Sequence, residues 1–534
     1  MYDATDVASS RTEWQSMGAE TIGGHEETFK NHCFYWHGTI GCFRGDAMRF
    51  YLRILFAVLF VGCVMSGGQA QAAKTASSSA QLAQLKGSYR FERAGWTYVH
   101  LQGTPSEIGF QHGYLLAPEI DDAFHAIQLG STRGRLPWEF FRATAKNVYW
   151  PHIEPQYREE IQGIADGVKA HGVHDMDLWD VVALNGFLES GYYIHELKKE
   201  EQLKSAADMK APGNCSAFVA TGDWTKDHRP VIAHSMWEPF LTGEYWRIIF
   251  DIAPQHGYHI LMDGFPGKID SGDDFGMNSA GIEITETTIT GYTGFDPNGV
   301  PEFVRARKAM QYSASIDDFE RIMLKGNNGG YANDWLIADN HANEVARLEL
   351  GLKVHRLWRS KNGYFVGSNF PSDPTLIKEE TDFNPNDPSS SMNARHKRWD
   401  ELMAQYKGQI NAKLAQQFLA DHYDAYSKKE GPSERTLCGH EDVSPRGTPQ
   451  WGAPPFTPSG AVNAKAADSS MASRLSFYAR SGRPCGEDFL VKPFLAAHPR
   501  FAWQAPALRD MKGNPWATFH GDDHGSTGMT AAAE

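Results

Sequence analysis

Hydrophobic patterns divide the chain into a helical first part and a strand-rich second part. Apolar and polar residues alternate in residues 95–103 (GWTYVHLQG), as in a half-buried strand. The segment up to about residue 200 is then mostly helical in pattern. In PQYREEIQGIADGVKAHG, for example, Tyr157, Ile161, Ile164 and Val168 recur at helical spacing. We therefore predict one strand followed by several amphipathic helices.

Beyond residue 214 the pattern changes to short runs rich in β-branched and aromatic residues. The runs SAFVATGDW, PVIAHSMW, WRIIFDIAP, YHILMDGFP and GIEITETTIT are separated by turn residues and predict an antiparallel meander. Ser315 as N-cap and Gly326 as a stop bound a helix. More strands follow in DWLIADN, EVARLELGLKVHRLW and YFVGSNF, and residues 393–425 are helical again.

From about residue 430 the chain is rich in proline and glycine, with scattered strand-like pieces. Helices, strands, helices and strands in this order favour α+β layering over a parallel doubly wound sheet. The sequence has no glycine-rich dinucleotide motif or Walker loop in a strand-to-helix context. Nucleotide-binding folds of those types are therefore not indicated.

The first 72 residues are predicted to be a leader. Residues 1–47 lack sustained periodicity and are interpreted as an unstructured upstream extension, with Met48 as the start. Arg49 and Arg53, the apolar residues 54–65 and the small residues before position 73 form a signal-peptide pattern over residues 48–72. The alternatives are an uncleaved membrane anchor and a lipid attached at Cys63.

Composition and linkers narrow the possibilities further. The formal net charge is −14 and the pI about 5.9, which gives no electrostatic basis for binding nucleic acid and little attraction to anionic membranes. Residues 73–90 are an Ala/Ser/Gln-rich spacer, and the charged, then small-residue segment 196–213 resembles a mobile linker. This second linker ends immediately before the sequence Asn214-Cys215.

Cysteine counting singles out Cys215. Of the six cysteines, three lie after residue 72. In an exported protein an even pair favours a disulfide, and Cys438 with Cys485 is the natural pair, although sequence does not prove the connectivity. Cys215 is then a free thiol.

The position of Cys215 suggests nucleophilic chemistry. If the Asn214–Cys215 bond were cut, the α-amine of Cys215, with a pKa of about 8, would serve as base for its own thiol. The thiol could cut the bond itself, through an N-to-S acyl shift followed by hydrolysis. The alternative is a buried structural thiol at the start of a strand.

The order of motifs resembles the phospholipase B-like family, which is related to the penicillin acyltransferase and choloylglycine hydrolase groups of N-terminal-nucleophile hydrolases. The similar segments, in chain order, are EIGFQHGYLLAPEI, GNCSAFVA, VIAHSMW, FGMNSAGIEITETTI, NDWLIAD, GSNFP, SSSMNARHKRW, GAVNAKAADSSMA and FAWQ. The resemblance covers most of the chain after the leader. It implies a four-layer αββα sandwich with two antiparallel sheets.

The resemblance also implies roles for individual residues. Cys215 is the nucleophile, Asn369 donates to the oxyanion, and Arg395 favours the thiolate. His234 and Trp237 occupy the hairpin positions where choloylglycine hydrolases carry Arg and Asp, so the amine loses a carboxylate partner and the pocket becomes more apolar. The alternatives are a structural histidine for His234, packing for Trp237, a turn residue for Asn369 and an exposed helix arginine for Arg395.

Three weaker candidates carry polar side chains near strand ends. Asn278 could bind substrate or cap a turn, and Asn333 and Asp334 could make polar contacts at a sheet end. Two further clusters receive structural interpretations. HGDDH (520–524) is expected to be disordered instead of metal-binding, and HDMDLWD (174–180) is expected to be a turn and helix start.

These observations predict a self-processed hydrolase of amide or ester bonds in an acylated substrate, such as a lipid, an N-acyl amino acid or a peptide. The fragments 73–214 and 215–534 are expected to stay associated after the cut. We expect no metal or organic cofactor, a small-molecule substrate and export to a secreted or periplasmic location, or a lysosomal one in a eukaryote. The rivals are an unprocessed secreted binding protein and a papain-like cysteine protease that works with an intact chain.

Overall fold

The computed structural model describes residues 81–133, 136–200, 214–272 and 275–525, together with a short hairpin nearer the N-terminus. The hairpin, β1 (Phe34–Trp36) and β2 (Thr39–Gly41), belongs to a separate unit, Met1–Ser79. It falls within the extension for which the sequence predicted no structure. The predicted signal peptide (48–72), Cys63 and most of the linker before Asn214 lie outside the described residues.

The second unit, Ala80–Glu534, carries all other strands and helices of the described residues. Its strands are β3 (Tyr89–Arg93), β4 (Trp96–Gly103), β5 (Asn214–Thr221), β6 (Val231–Pro239), β7 (Ile248–Pro254), β8 (Ile260–Gly264), β9 (Gly276–Asn278), β10 (Ile282–Thr288), β11 (Asn333–Asp339), β12 (Glu344–Leu350), β13 (His355–Ser360), β14 (Gly363–Gly367), β15 (Tyr423–Asp424), β16 (Lys429–Glu430), β17 (Ser459–Asp468), β18 (Ser476–Ser481) and β19 (Ala517–His520).

The α-helices of the described residues lie between strands: six follow one another between β4 and β5, and the others lie between later strands. They are α1 (Pro105–Leu115), α2 (Ala117–Arg133), α3 (Trp138–Thr144), α4 (Pro155–His171), α5 (Leu178–Asn185), α6 (Phe187–Lys199), α7 (Phe240–Gly243), α8 (Glu302–Tyr312), α9 (Ile316–Leu324), α10 (Pro374–Glu380), α11 (Ser391–Gln405), α12 (Ala412–Leu419), α13 (Ser469–Ala472) and α14 (Val491–Ala497). Among the described residues, no helix has the length and apolar character needed to span a bilayer.

Two large sheets form the centre of the second unit. One has nine strands in the order β13-β12-β11-β10-β9-β8-β7-β4-β3, and the other has six in the order β14-β5-β6-β17-β18-β19. Neighbouring strands are antiparallel except β4 and β7, which run parallel from the pair Thr97–Ile248 to the pair Gly103–Pro254. The sheet that carries Cys215 is therefore entirely antiparallel.

Three cores separate four layers of secondary structure. Residues such as Tyr98 and Ile249 of the nine-stranded sheet pack with Val219 and Ile232 of the six-stranded sheet. The outer face of the nine-stranded sheet packs on the helices of the first part of the chain and also on α8 and α9. The outer face of the six-stranded sheet, for example Phe218, packs on α11 and α12. This αββα arrangement confirms the predicted fold class.

Several predicted elements match the structure, and others differ for physical reasons. The helix predicted after Ser315 is α9, and the Ser315 hydroxyl accepts from the Asp318 N–H as an N-cap. The predicted single meander is wrong, because the chain leaves the six-stranded sheet after β6 and enters the other sheet as β7. The proline- and glycine-rich C-terminal part also supplies β17, β18 and β19 to the six-stranded sheet that carries Cys215.

Three buried carboxyl groups make the fold sensitive to pH. Burial raises the pKa of Glu283 to about 8, and it raises the pKa values of Glu189 and Asp334 to about 7 each. A carboxyl group whose pKa is raised on folding stabilises the protein fully below its unfolded pKa, and this contribution is lost as the pH rises through the folded pKa. Stability contributed by Glu283 is therefore lost between about pH 4.5 and 8.

We expect Glu283→Gln to reduce the loss of unfolding free energy between pH 5 and 8.5, because a neutral amide needs no proton to remain buried. The oxygen of the introduced amide can still accept from Asn340 Nδ2, which donates to Glu283 at 2.7 Å. At pH 8 the unfolding free energy of the variant should exceed that of the wild type by about 1–3 kcal/mol. Urea unfolding over this pH range measures the effect, with the exposed Glu379→Gln as control. The same dependence of unfolding free energy on pH in the wild type and both variants would contradict it.

Candidate active site

Cys215 lies at the beginning of β5, between β14 and β6 in the six-stranded sheet. It pairs with Met236 of β6, while Asn214 pairs with Trp237. The side chain of Cys215 is buried, with 1% of its surface exposed. The predicted cleavage point therefore lies at the first residues of a central strand, which is the arrangement that the sequence suggested for the nucleophile.

Asn369 follows β14 and holds the backbone nitrogen of Cys215. The Cys215 N–H donates to Asn369 Oδ1 at 3.0 Å, and Asn369 Nδ2 donates to the Thr288 carbonyl oxygen at 3.0 Å. Arg395 Nη2 also donates to Oδ1, at 2.9 Å, and two donors on one atom fix the orientation of the amide. Asn369 has a φ of 62°, in the left-handed region where asparagine is tolerated better than most residues.

The structure adds a contact of Asn369 that the sequence did not predict. One of the two N–H groups of its Nδ2 donates to the Thr288 carbonyl oxygen, and the donation to a reacting carbonyl that the oxyanion role requires stays a prediction. The Asn369 oxygen accepts from the nitrogen that would become the α-amine. Asn369 is therefore placed to orient the amine, a function that only the orientation of its amide reveals.

Arg395 is a fully buried cation on α11, beside Cys215. Its Nη1 donates to the Cys215 carbonyl oxygen and to Ser216 Oγ, and its Nε donates to Ser391 Oγ at 3.0 Å. Burial lowers the pKa of Arg395 to about 9, and the nearby Cys215 and Glu441 oppose this shift. The group stays charged at neutral pH, and a fixed cation near a thiol favours the thiolate. The alternative of an exposed helix arginine is wrong.

The Trp237 side chain forms a wall of the site, where it packs against Arg395 and Gly439. The Arg395 guanidinium lies over its indole ring, 4.5 Å from the centroid. Gly439 contacts the same indole so closely that a Cβ atom on it would come within 2.1 Å of Trp237 Cε2. Gly439 also has a φ of 67°, so both space and backbone conformation require glycine here.

His234 and a carboxylate complete the surroundings of the thiol. The Cys215 Sγ, a ring nitrogen of His234 and a carboxylate oxygen of Glu286 all lie within 4.8 Å of one another. Tyr331 Oη donates to Glu286 Oε1 at 3.1 Å. The Asn333 amide is oriented with its nitrogen toward the Ala332 carbonyl oxygen and Glu286, and this nitrogen donates to Glu286 Oε2 at 2.8 Å. β10 of the other sheet therefore supplies a carboxylate near the thiol, while the expected loss of a carboxylate partner for the amine stays a prediction.

Asn278 has structural contacts in place of the substrate contact considered for it, and Asp334 makes a polar contact near a strand end, as the sequence suggested. Asn278 Nδ2 donates to the carbonyl oxygens of Met310 and Ser313, and its Oδ1 accepts from backbone N–H groups of the β9–β10 turn. Asn278 therefore caps the turn and ties it to the end of α8. Asp334 is buried and accepts from Arg347 Nε at 2.7 Å.

The cysteine pair and the HGDDH segment differ from prediction. Cys438 and Cys485 are free thiols in the structure, so the predicted disulfide is not formed. HGDDH is also ordered and not disordered: Asp523 pairs with Arg93, and the Asp522 N–H donates to Asp251 at 2.9 Å. The HDMDLWD segment is a helix start as predicted, with the Asp177 side chain capping α5.

Comparisons with known proteins agree with this architecture. The model of the Phospholipase B family matches residues 138–356. An uncharacterized protein of Archaeoglobus fulgidus is 28% identical over 46% of this chain, and the match spans 42% of its own length. Phospholipase B-like 1 of Bos taurus is 23% identical over 70% of this chain and 75% of its own length. The 40 kDa form of acyl-coenzyme A:6-aminopenicillanic-acid-acyltransferase of Emericella nidulans is 24% identical over 58% of this chain and 78% of its own length.

Fold and comparisons together define the class of protein. An αββα sandwich with a cysteine at the first positions of a central strand is the architecture of the N-terminal-nucleophile hydrolases. Within that class, the family match over residues 138–356 and the similarity to the bovine and fungal relatives support the phospholipase B-like family. The match to the Archaeoglobus fulgidus protein spans less than half of that protein's length.

Sequence reasoning missed Glu286, Ser216 and Ser391. Glu286 had a usable signal, since a glutamate in the strand run IEITETT is unusual unless it has a partner. Ser216 and Ser391 had none beyond their neighbours, because a serine beside Cys215 or Arg395 is common in any loop or cap. The contact of Ser216 with the buried guanidinium depends on the packing of α11 over β5, whereas Ser391 contacts it from one turn earlier on α11.

We expect Arg395→Lys to raise the thiol pKa of Cys215, because a lysine cannot supply donors to all the acceptors that Arg395 contacts. The pH dependence of Cys215 alkylation should shift to higher pH, and stability should fall by about 2–4 kcal/mol. The exposed Arg321→Lys is the control. Unchanged alkylation kinetics in Arg395→Lys would contradict the role of the cation.

Proposed function

We propose that the protein is a cysteine N-terminal-nucleophile hydrolase that cuts its own chain at Asn214–Cys215 and then hydrolyses an amide or ester of an acylated substrate. The observation that carries the proposal is the contact between the Cys215 nitrogen and Asn369 Oδ1 at 3.0 Å. An acceptor already stands at the atom that the cut would turn into an amine. A purely structural cysteine would need no such arrangement with a buried cation beside it.

Self-processing would proceed through a thioester. The Cys215 sulfur attacks the Asn214 carbonyl carbon, the C–N bond breaks, and the nitrogen takes up the proton released by the thiol. Water then hydrolyses the thioester, which yields the Asn214 carboxylate and a free Cys215 thiol. His234, close to Sγ, can hold the proton during the transfer.

Turnover would use the new amine as the base. The amine accepts the thiol proton while Asn369 fixes its position, and the sulfur attacks the substrate carbonyl. The ammonium group then donates its proton to the leaving amine or alcohol, and water releases the acyl group from sulfur. Backbone N–H groups at the strand end would stabilise the oxyanion together with the N–H group of the Asn369 amide that is not used by Thr288.

A small cavity of about 30 Å³, lined mainly by apolar side chains, adjoins β6. The cavity begins at Glu238, the residue after Trp237 on β6, and Lys268 adds a second charged side chain. Its apolar wall consists of Ile127, Leu184, Phe187, Leu188, Trp246 and Phe265. Candidate substrates are lipid amides, phospholipid esters, N-acyl amino acids and acylated peptides. We further propose export of the protein, to a secreted, periplasmic or lysosomal location.

We expect the purified protein to carry a new N-terminus at Cys215, and Cys215→Ala to remain uncut and inactive because it lacks the sulfur that attacks. Cys215→Ser should be cut more slowly, since a hydroxyl is a weaker nucleophile near neutral pH. Intact-mass spectrometry and N-terminal sequencing measure both, with the exposed His355→Ala as control. An active, continuous chain across this junction would contradict the proposal.

The cluster of Cys215, His234 and Glu286 favours one rival, a cysteine hydrolase that works with an intact chain. In that mechanism His234 is the base, and His234→Ala should abolish alkylation of the thiolate near neutral pH. In the proposed mechanism the amine is the base, so His234→Ala should keep a reactive thiol once the chain is cut. Alkylation rates of cut and uncut protein, measured between pH 6 and 9, distinguish the two.

A further inference from the structure

Two cysteines and two histidines converge beside the nucleophile sheet. His422 follows α12, Cys438 and His440 precede β17, and Cys485 follows β18. One ligand atom from each of these four residues, here called the Cys2His2 cluster, lies within 4.8 Å of every other. The fold therefore brings together ligands from three separate segments of the chain.

The distances agree with those around a tetrahedral zinc ion. The Nε2 atoms of His422 and His440 are 3.0 Å apart, and Cys485 Sγ lies 3.7 Å from His440 Nε2. Tetrahedral zinc with ordinary Zn–N and Zn–S bonds places two nitrogens about 3.3 Å apart and a nitrogen and a sulfur about 3.6 Å apart. Small shifts of the side chains would therefore complete the coordination.

A disulfide would explain less of this arrangement. It would join Cys438 to Cys485, which the structure leaves as free thiols, and it would give no reason for two imidazole nitrogens to meet at the same point. Two thiolates and two neutral imidazoles also balance the charge of a divalent ion. This balance matters because Cys438 and His440 are buried.

We propose that the Cys2His2 cluster is a structural zinc site. Two thiolates and two imidazoles in tetrahedral arrangement are a ligand set that selects zinc among common divalent ions. All four coordination positions come from the protein, as in sites that stabilise a fold and do not catalyse a reaction. The site is separate from the Cys215 chemistry and does not depend on the proposed function.

The ion would brace the wall of the active site. Gly439 lies between the ligands Cys438 and His440 and packs directly on the Trp237 indole. That indole in turn lies against the guanidinium of Arg395. Fixing both neighbours of Gly439 to one ion would therefore hold Trp237 in place, at a point where the chain has little regular secondary structure.

The test uses full-length protein without an affinity tag, purified without chelators. Elemental analysis should give about one zinc per chain in the wild type and less than about one tenth of that in His422→Ala, because the site loses one of its four ligands. The exposed His355→Ala is the matched control and should keep its zinc. Retention of zinc by His422→Ala, or a wild type without zinc, would overturn the proposal.

Two further measurements use only the wild-type protein, so their outcome does not depend on whether a variant folds. Replacement of zinc by Co²⁺ in the wild type should give the thiolate-to-cobalt charge-transfer and d–d absorption bands of a tetrahedral site. Non-reducing mass spectrometry of the denatured wild type should show Cys438 and Cys485 as two thiols. A mass lower by two hydrogens, with both residues in one cross-linked peptide, would establish the disulfide instead and refute the zinc site.

Discussion

One buried guanidinium organises the end of the six-stranded sheet where Cys215 lies. Arg395 donates to the Cys215 carbonyl oxygen, to Asn369 and to Ser391, and it covers the indole of Trp237. A buried cation is costly unless its donors are matched, so these contacts fix β5, β6, the turn after β14 and α11 relative to one another. Its hydrogen bonds go to neutral oxygens, which leaves positive potential for the adjacent thiol.

Patterns that act over a few residues predicted parts of the fold well. The alternation in residues 95–103 located β4, and Ser315 located the start of α9, because strand periodicity and N-capping depend on near neighbours. Pairing between distant strands could not be predicted in this way. The run GAVNAKAAD lies in β17 at the centre of a sheet, although alanine has a weak preference for strands, because packing between β6 and β18 overrides it.

The site shows the same division between local and distant information. Cys215 could be recognised from its place after a linker and before an alternating run. The direction of the Asn369 amide, by contrast, depends on Thr288 and Arg395, and the carboxylate of Glu286 comes from the opposite sheet. Counting cysteines brought Cys438 and Cys485 together but missed the histidines beside them, since no short spacing motif connects the four residues.

The parallel pair of β4 and β7 connects the parts of the chain before and after the Asn214–Cys215 junction. β4 precedes that junction and β7 follows it, and the two strands share seven register pairs inside the nine-stranded sheet. A nicked molecule would therefore keep its halves joined by a continuous backbone ladder. Once denatured, however, the halves would diffuse apart, so renaturation would become a second-order process that slows on dilution, and heat inactivation would be effectively one-way.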